Sequence, residues 1–133
     1  MENLVKIVAV AGGSVLGYLF GGWTALLGVL AVFVVVDYAT GWMAAAVEGK
    51  LKSKIGYTGI ARKVGIGLVV SLAHFIDITL GTADMVRDGV IMFYLVNEVL
   101  SIIENLGRIG VPIPSVLRDA VEVLKKKGEK KNG

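Results

Sequence analysis

Ten polar side chains recur at helical spacing inside stretches that are otherwise apolar, and these are the residues that could do chemistry. Asp37 and Thr40 share one helix face with Gly41, Ala44 and Glu48. Ser71, His74 and Asp77 follow Gly67 in the same rhythm, and Asn97, Glu98, Ser101, Glu104 and Asn105 form a broader stripe with Tyr94 and Arg108. Each stripe lies opposite a surface of Val, Leu, Ile and Phe. A charge at the centre of a bilayer costs about 2.5–3.5 kcal/mol on an insertion scale, so the stripes must face one another, another subunit or water. Two chemistries fit. The stripes either close into a network of hydrogen bonds and ion pairs, or they line an aqueous path. A protein that stores them in one state and exposes them in another would do both. Carboxylates at membrane depth also relay protons, which keeps transport in view.

Other chemistries are disfavoured. With one His and no Cys, a metal centre is not expected. Gly65-Ile66-Gly67 lacks the third glycine of a phosphate-cradling loop and sits in an apolar stretch. No serine stands in a nucleophile elbow. The expectation is a protein with no catalytic residues and no cofactor, not an enzyme.

The elements that must carry the stripes follow from composition. Of 133 residues, 55% are hydrophobic and only 19% charged, against about a quarter charged in a soluble domain. Residues 7–36 carry no charge at all, whereas roughly 18 uncharged apolar residues already indicate a bilayer span. Four spans are predicted at about 4–20, 23–47, 64–81 and 86–107. Read as one helix, 4–47 would run about 66 Å, more than any bilayer needs, so Gly21 and Gly22 are read as a tight connection. The fold class is an all-α integral membrane bundle of four transmembrane helices. The alternative keeps three spans and lays the glycine-rich first stretch in the interface. Ala9-Val10-Ala11 resembles a signal cleavage site, but the apolar run before it is too short.

Basic residues set the orientation. Lys50, Lys52, Lys54, Arg62 and Lys63 fall in the middle loop, and Lys125, Lys126, Lys127, Lys130 and Lys131 in the tail. Short loops rich in Lys and Arg stay cytoplasmic, so both segments and the C-terminus are assigned there. The spans make up residues 1–111, and 112–133 form a basic cytoplasmic tail. Within it, Ser115 caps a short amphipathic helix through Val116, Leu117, Ala120, Val121 and Leu124, lying on the membrane surface. Anionic lipid is the expected partner of its lysines. Nucleic acid is not, because no aromatic residues interleave with them. Ala9, Gly13, Gly17 and Gly21, four residues apart, allow close helix packing within the monomer or between subunits.

A family resemblance rests on particular residues. Asp37-Tyr38-Ala39-Thr40-Gly41, Lys54-Ile55-Gly56, Gly59-Ile60-Ala61-Arg62-Lys63 and Ala73-His74-Phe75-Ile76-Asp77 resemble the bacteriophage holins of the toxin-secretion/phage-lysis family. So do Asn97-Glu98-Val99-Leu100-Ser101-Ile102-Ile103-Glu104-Asn105 and Gly110-Val111-Pro112-Ile113-Pro114 with Leu117. The resemblance covers about 22–124. It implies a homo-oligomer that accumulates in the bacterial cytoplasmic membrane and opens lesions abruptly. These collapse the membrane potential and release an endolysin for host cell lysis. Chromosomal relatives are associated with toxin export. A small ion or solute channel, and a structural scaffold, remain the rival readings.

Overall fold

The computed structural model describes residues 1–132, with side chains described through Lys127. Lys130 and Lys131, assigned above to the basic tail, lie outside the described side chains. Five helices follow one another: α1 (Glu2–Phe20), α2 (Ala25–Val47), α3 (Ser53–Leu80), α4 (Met85–Ile109) and α5 (Ser115–Asn132). The first four are long and apolar enough to cross a membrane, consistent with the bundle of four transmembrane helices.

Local sequence explains the boundaries. The Thr24 hydroxyl accepts a hydrogen bond from the Leu27 N–H at 3.2 Å and opens α2. Gly21 closes α1 at φ 77°, with its N–H returning to the Gly17 carbonyl. A Cβ at position 21 would fall 2.4 Å from His74 Cε1. Gly21 is therefore both the cap of α1 and a point where α3 approaches its backbone closely.

α2 packs mainly against α4, α3 packs against α4, and α2 and α3 touch only lightly. The core consists of Leu27 and Leu30 from α2, Val70 from α3, and Ile91, Met92 and Leu95 from α4. Further along the same α2–α4 seam the residues become small and polar, with Ala44 fully buried beside Thr40 and Asn105. α1 packs on α3 and not on α2. The surroundings of Gly13 and Gly17 are open, and Ala9 is exposed. The first helix is thus anchored near its C-terminus, with its remaining length unpartnered in the monomer.

Two expectations are corrected. α3 starts at Ser53, so Lys54, Arg62 and Lys63 belong to a helix and not to the middle loop. At 28 residues it is about 42 Å long, more than the hydrocarbon thickness, and its first turns project past the apolar layer. Glycine makes this extension possible, because a Cβ on Gly56 would lie 2.6 Å from Trp42 Cζ2. The Tyr38 hydroxyl also donates to the Gly56 carbonyl at 3.4 Å. Gly56→Ala is expected to cost about 1–3 kcal/mol by overpacking. Gly107→Ala, with open space at its Cβ, serves as the control. Thermal unfolding in detergent that gave equal midpoints for the two variants would contradict this packing.

The second correction concerns α5. It turns back after Pro112 and Pro114 and lies against α4, with Val121 5% exposed and Leu124 packed on the core cluster. Only Val121 and Leu124 of the predicted apolar face are covered by the bundle; Val116, Leu117 and Ala120 remain exposed and free to meet the membrane surface.

Candidate functional site

Lys63 brings together stripes that the sequence left on separate helices. Its ammonium donates to both oxygens of Glu98, at 2.9 and 2.7 Å, and to Asp37 Oδ2. Counted along the helices, Asp37 lies about 18 Å and Glu98 about 20 Å from the N-terminal ends of α2 and α4 at 1.5 Å per residue. The triad therefore sits inside an apolar layer of about 30 Å, nearer its basic end.

From the triad the network runs on without a break. Asn105 Nδ2 donates to Asp37 Oδ1 at 3.0 Å and to Thr40 Oγ1 at 3.1 Å. Thr40 in turn donates to the Val36 carbonyl at 2.8 Å. Arg108 reaches Asn105 Oδ1 at 3.4 Å and donates through Nε to Glu48 at 2.9 Å. Asp37, Thr40, Glu98 and Asn105 are all buried. A single chain of polar contacts thus joins α2, α3 and α4, and every carboxylate in it faces a cation.

At the edge of this network the Arg108 guanidinium holds the Glu48 carboxyl below the usual glutamate range. A depressed folded-state value means the contact is complete above the ordinary glutamate pKa, about 4.3, and is lost as acid protonates Glu48. The link between the ends of α2 and α4 should therefore loosen only on acidification. Glu48→Gln should remove that dependence, as read from the pH profile of thermal unfolding.

Ser71, His74 and Asp77 do not join this network. They sit at the opposite end, where α1 is tied to the bundle. The Ser71 hydroxyl donates to the Leu19 carbonyl at 2.9 Å. Asp77 accepts the N–H groups of Val86 and Arg87, at 2.9 and 2.8 Å, and the Thr82 hydroxyl. It is the anionic cap of α4. His74 Nδ1 is buried without a hydrogen-bond partner, 3.7 Å from Asp84. Arg87, 3% exposed, donates to the carbonyls of Phe20 and Gly21 at 2.9 and 3.2 Å and pairs with Asp88 at 3.2 Å. The turn between α3 and α4 carries positive φ at two non-glycine residues, Ala83 and Asp84, a backbone held in place by these contacts.

Two stripe residues, Asn97 and Glu104, have no contact with either cluster among the described hydrogen bonds, and Ser101 lies beside Asp37 and Lys63 in the cleft they line. Asn97 and Glu104 are exposed and Ser101 is half-buried. Asn97 stands midway along α4, twelve residues from each end. With Tyr94, Glu98 and Ser101 it borders an open crevice toward α3.

Lys63 and Arg87 are the members that sequence reasoning missed. Lys63 was legible: it extends the Gly67, Ser71, His74, Asp77 stripe by one turn toward the N-terminus. Arg87 carried no comparable signal, because its partners are backbone carbonyls of a distant helix.

Four apolar spans around a buried ion network define a multi-pass helical membrane protein. Comparison with known families narrows this. The chain belongs to the bacteriophage holin family, whose model matches residues 14–126. It is 46% identical over 121 residues to an uncharacterised Listeria innocua protein, covering 91% of this chain and 86% of the relative. An uncharacterised protein of Halalkalibacterium halodurans is 42% identical over 130 residues, covering 94% and 96%. An uncharacterised 14.9 kDa protein in the nagH 3′ region of Clostridium perfringens is 36% identical, covering 96% and 99%. No solved structure matches the chain.

Proposed function

We propose that the protein is a lysis holin. It accumulates in the bacterial cytoplasmic membrane with its C-terminus inside, oligomerises, and opens lesions that dissipate the membrane potential and release an endolysin. Toxin export is the corresponding role of a chromosomal copy. No catalytic role is assigned. Partners are other copies of the chain, the endolysin as the released cargo, and anionic lipid at the tail lysines.

The observation that carries this reading is Asn97. An exposed carboxamide at the midpoint of an apolar span costs several kcal/mol in hydrocarbon unless something hydrogen-bonds to it. A second subunit or water supplies that partner. Asn97, Ser101 and Glu104 are the face we assign to contact between copies, and the lesion lining in the assembled state. The closed Asp37–Lys63–Glu98 network is the latch that keeps a dispersed copy sealed. Burial of the network balances against hydration of the same groups, so crowding shifts the population from one state to the other.

Controlled expression in a bacterium tests the proposal. Growth should continue and then stop abruptly with loss of potential, and co-expressed endolysin should lyse the cells. Asn97→Leu, Glu98→Gln and Glu104→Gln should shift the delay. Ion or solute flux without passage of a folded endolysin would instead support a selective channel, and no effect of either kind would support a scaffold. Unchanged timing in all three variants would remove the lining and latch roles.

A further inference from the structure

We propose that the cleft at the basic end of α2, α3 and α4 is a binding site for the phosphate headgroup of an anionic phospholipid. The cleft has a volume of about 260 Å³. Four cations line it, Lys50, Arg62, Lys63 and Arg108, against the single carboxylate of Asp37. Lys63 and Arg108 are already paired, with Asp37 and Glu98 and with Glu48. Lys50 and Arg62 have no carboxylate within ion-pair distance among the described residues. Lys50 and Arg62 are thus the two cations of this wall that no ion pair holds, and the four cations exceed the three carboxylates by one. Lys52 and Lys54 extend this field across the adjoining surface beside Arg62. Trp42 also lines the cleft, and its indole N–H is buried without a hydrogen-bond partner. A buried donor left unpaired is costly, and a phosphate oxygen would satisfy it.

The lipid, rather than a soluble phosphate, follows from what adjoins the cleft. The site lies where α2 ends and the early turns of α3 leave the apolar layer, which is headgroup level. On the other side of Lys63 the loosely packed α2–α3 seam opens into a second cavity of about 280 Å³. That cavity is lined by Leu27, Leu30, Val34, Ile66 and Val70, and Lys63 borders both spaces. A basic cleft and an apolar groove that meet at Lys63 suit a diacyl phospholipid, its phosphate at Arg62 and Lys50 and one acyl chain along α2 and α3. The excess positive charge and the two unpaired cations select a net-anionic headgroup over a zwitterionic one. This assignment does not depend on lysis activity.

Full-length protein, delipidated in detergent, should be titrated with phosphatidylglycerol and with phosphatidylcholine of the same acyl chains, and bound lipid counted by native mass spectrometry. Phosphatidylglycerol should be retained at about thirtyfold lower concentration, the scale expected for two basic residues near an anionic headgroup. Lys50→Gln with Arg62→Gln should abolish most of that preference, and Trp42→Phe should weaken it several-fold while keeping the ring. Neutralising Lys125, Lys126 and Lys127 together should leave it intact, and millimolar inorganic phosphate should not displace the lipid. Equal retention of the two lipids, or an undiminished preference in the Lys50/Arg62 double variant, overturns the proposal. So does loss of preference in the tail variant alone. Displacement by inorganic phosphate would replace the lipid with a soluble phosphate ligand.

Discussion

Lys63→Met should destabilise the bundle by about 3–5 kcal/mol, the range for breaking a buried ion pair by removing one partner. The methylene stem is retained, so packing changes little. What is lost is the cation between two carboxylates whose side chains are 10% and 6% exposed. Those charges then face each other across the α2–α4 seam, where the core continues into Ala44 and Thr40. Asp37→Asn and Glu98→Gln introduced together into Lys63→Met should recover most of the stability, because neutral amides can hydrogen-bond each other and Asn105. Thermal unfolding in micelles measures both outcomes. A Lys63→Met protein within about 1 kcal/mol of the parent would mean that the triad is hydrated, with the small coupling of an exposed pair. A triple variant no better than the single would mean that the ion pairs themselves, and not merely charge balance, hold the helices together.

Arg87→Gln should cost about 2–3 kcal/mol, in line with losing hydrogen bonds to a charged group in a buried setting. Its larger consequence is local. Arg87 and Ser71 supply the side-chain hydrogen bonds that α1 receives from the rest of the bundle, both to its last carbonyls. The Tyr18–Phe75 ring contact at 5.8 Å adds to them. Without the guanidinium, α1 should separate from α3 while α2, α3 and α4 stay assembled. Because the chain has no Cys, spin labels can be placed uniquely at Ser14 and Leu72, both exposed. The distance distribution between them should broaden in Arg87→Gln. Arg87→Lys should be intermediate, since a single ammonium keeps the charge but not the planar fork that spans two carbonyls and a carboxylate. An unchanged distribution in Arg87→Gln would show that the Ser71 hydrogen bond and ring packing suffice to hold α1.

Much of the architecture was legible because lipid imposes a severe filter. A helix must satisfy its own backbone and present apolar side chains, so uncharged apolar runs mark spans, with the Gly21-Gly22 boundary the weakest because no charge separates the first two. The start of α3 was misplaced for a related reason. Loss of hydrophobicity marks where a chain leaves the apolar layer, not where its helix begins, and the Gly56–Trp42 contact that supports the early turns is tertiary. α5 was recognised as amphipathic, but amphipathicity names an apolar face without naming what covers it.

The polar stripes show the same division. Spacing along the sequence placed Asp37, Ser71, His74, Asp77, Asn97 and Glu98 on helix faces, because periodicity is a property of one helix. It could not group them. The rotation and offset of neighbouring helices decide which stripes meet, and these depend on side-chain packing across the seams. That packing divided one apparent polar lining into three parts: a closed ion network around Lys63, a cap and anchor around Asp77 and Arg87, and an exposed face at Asn97. Residue types and their spacing by themselves determined that this protein lives in a membrane and carries charges that lipid will not accept. Only the tertiary structure decided which charges neutralise one another and which are left for a partner, because neutralisation depends on ångström distances between helices far apart in the chain.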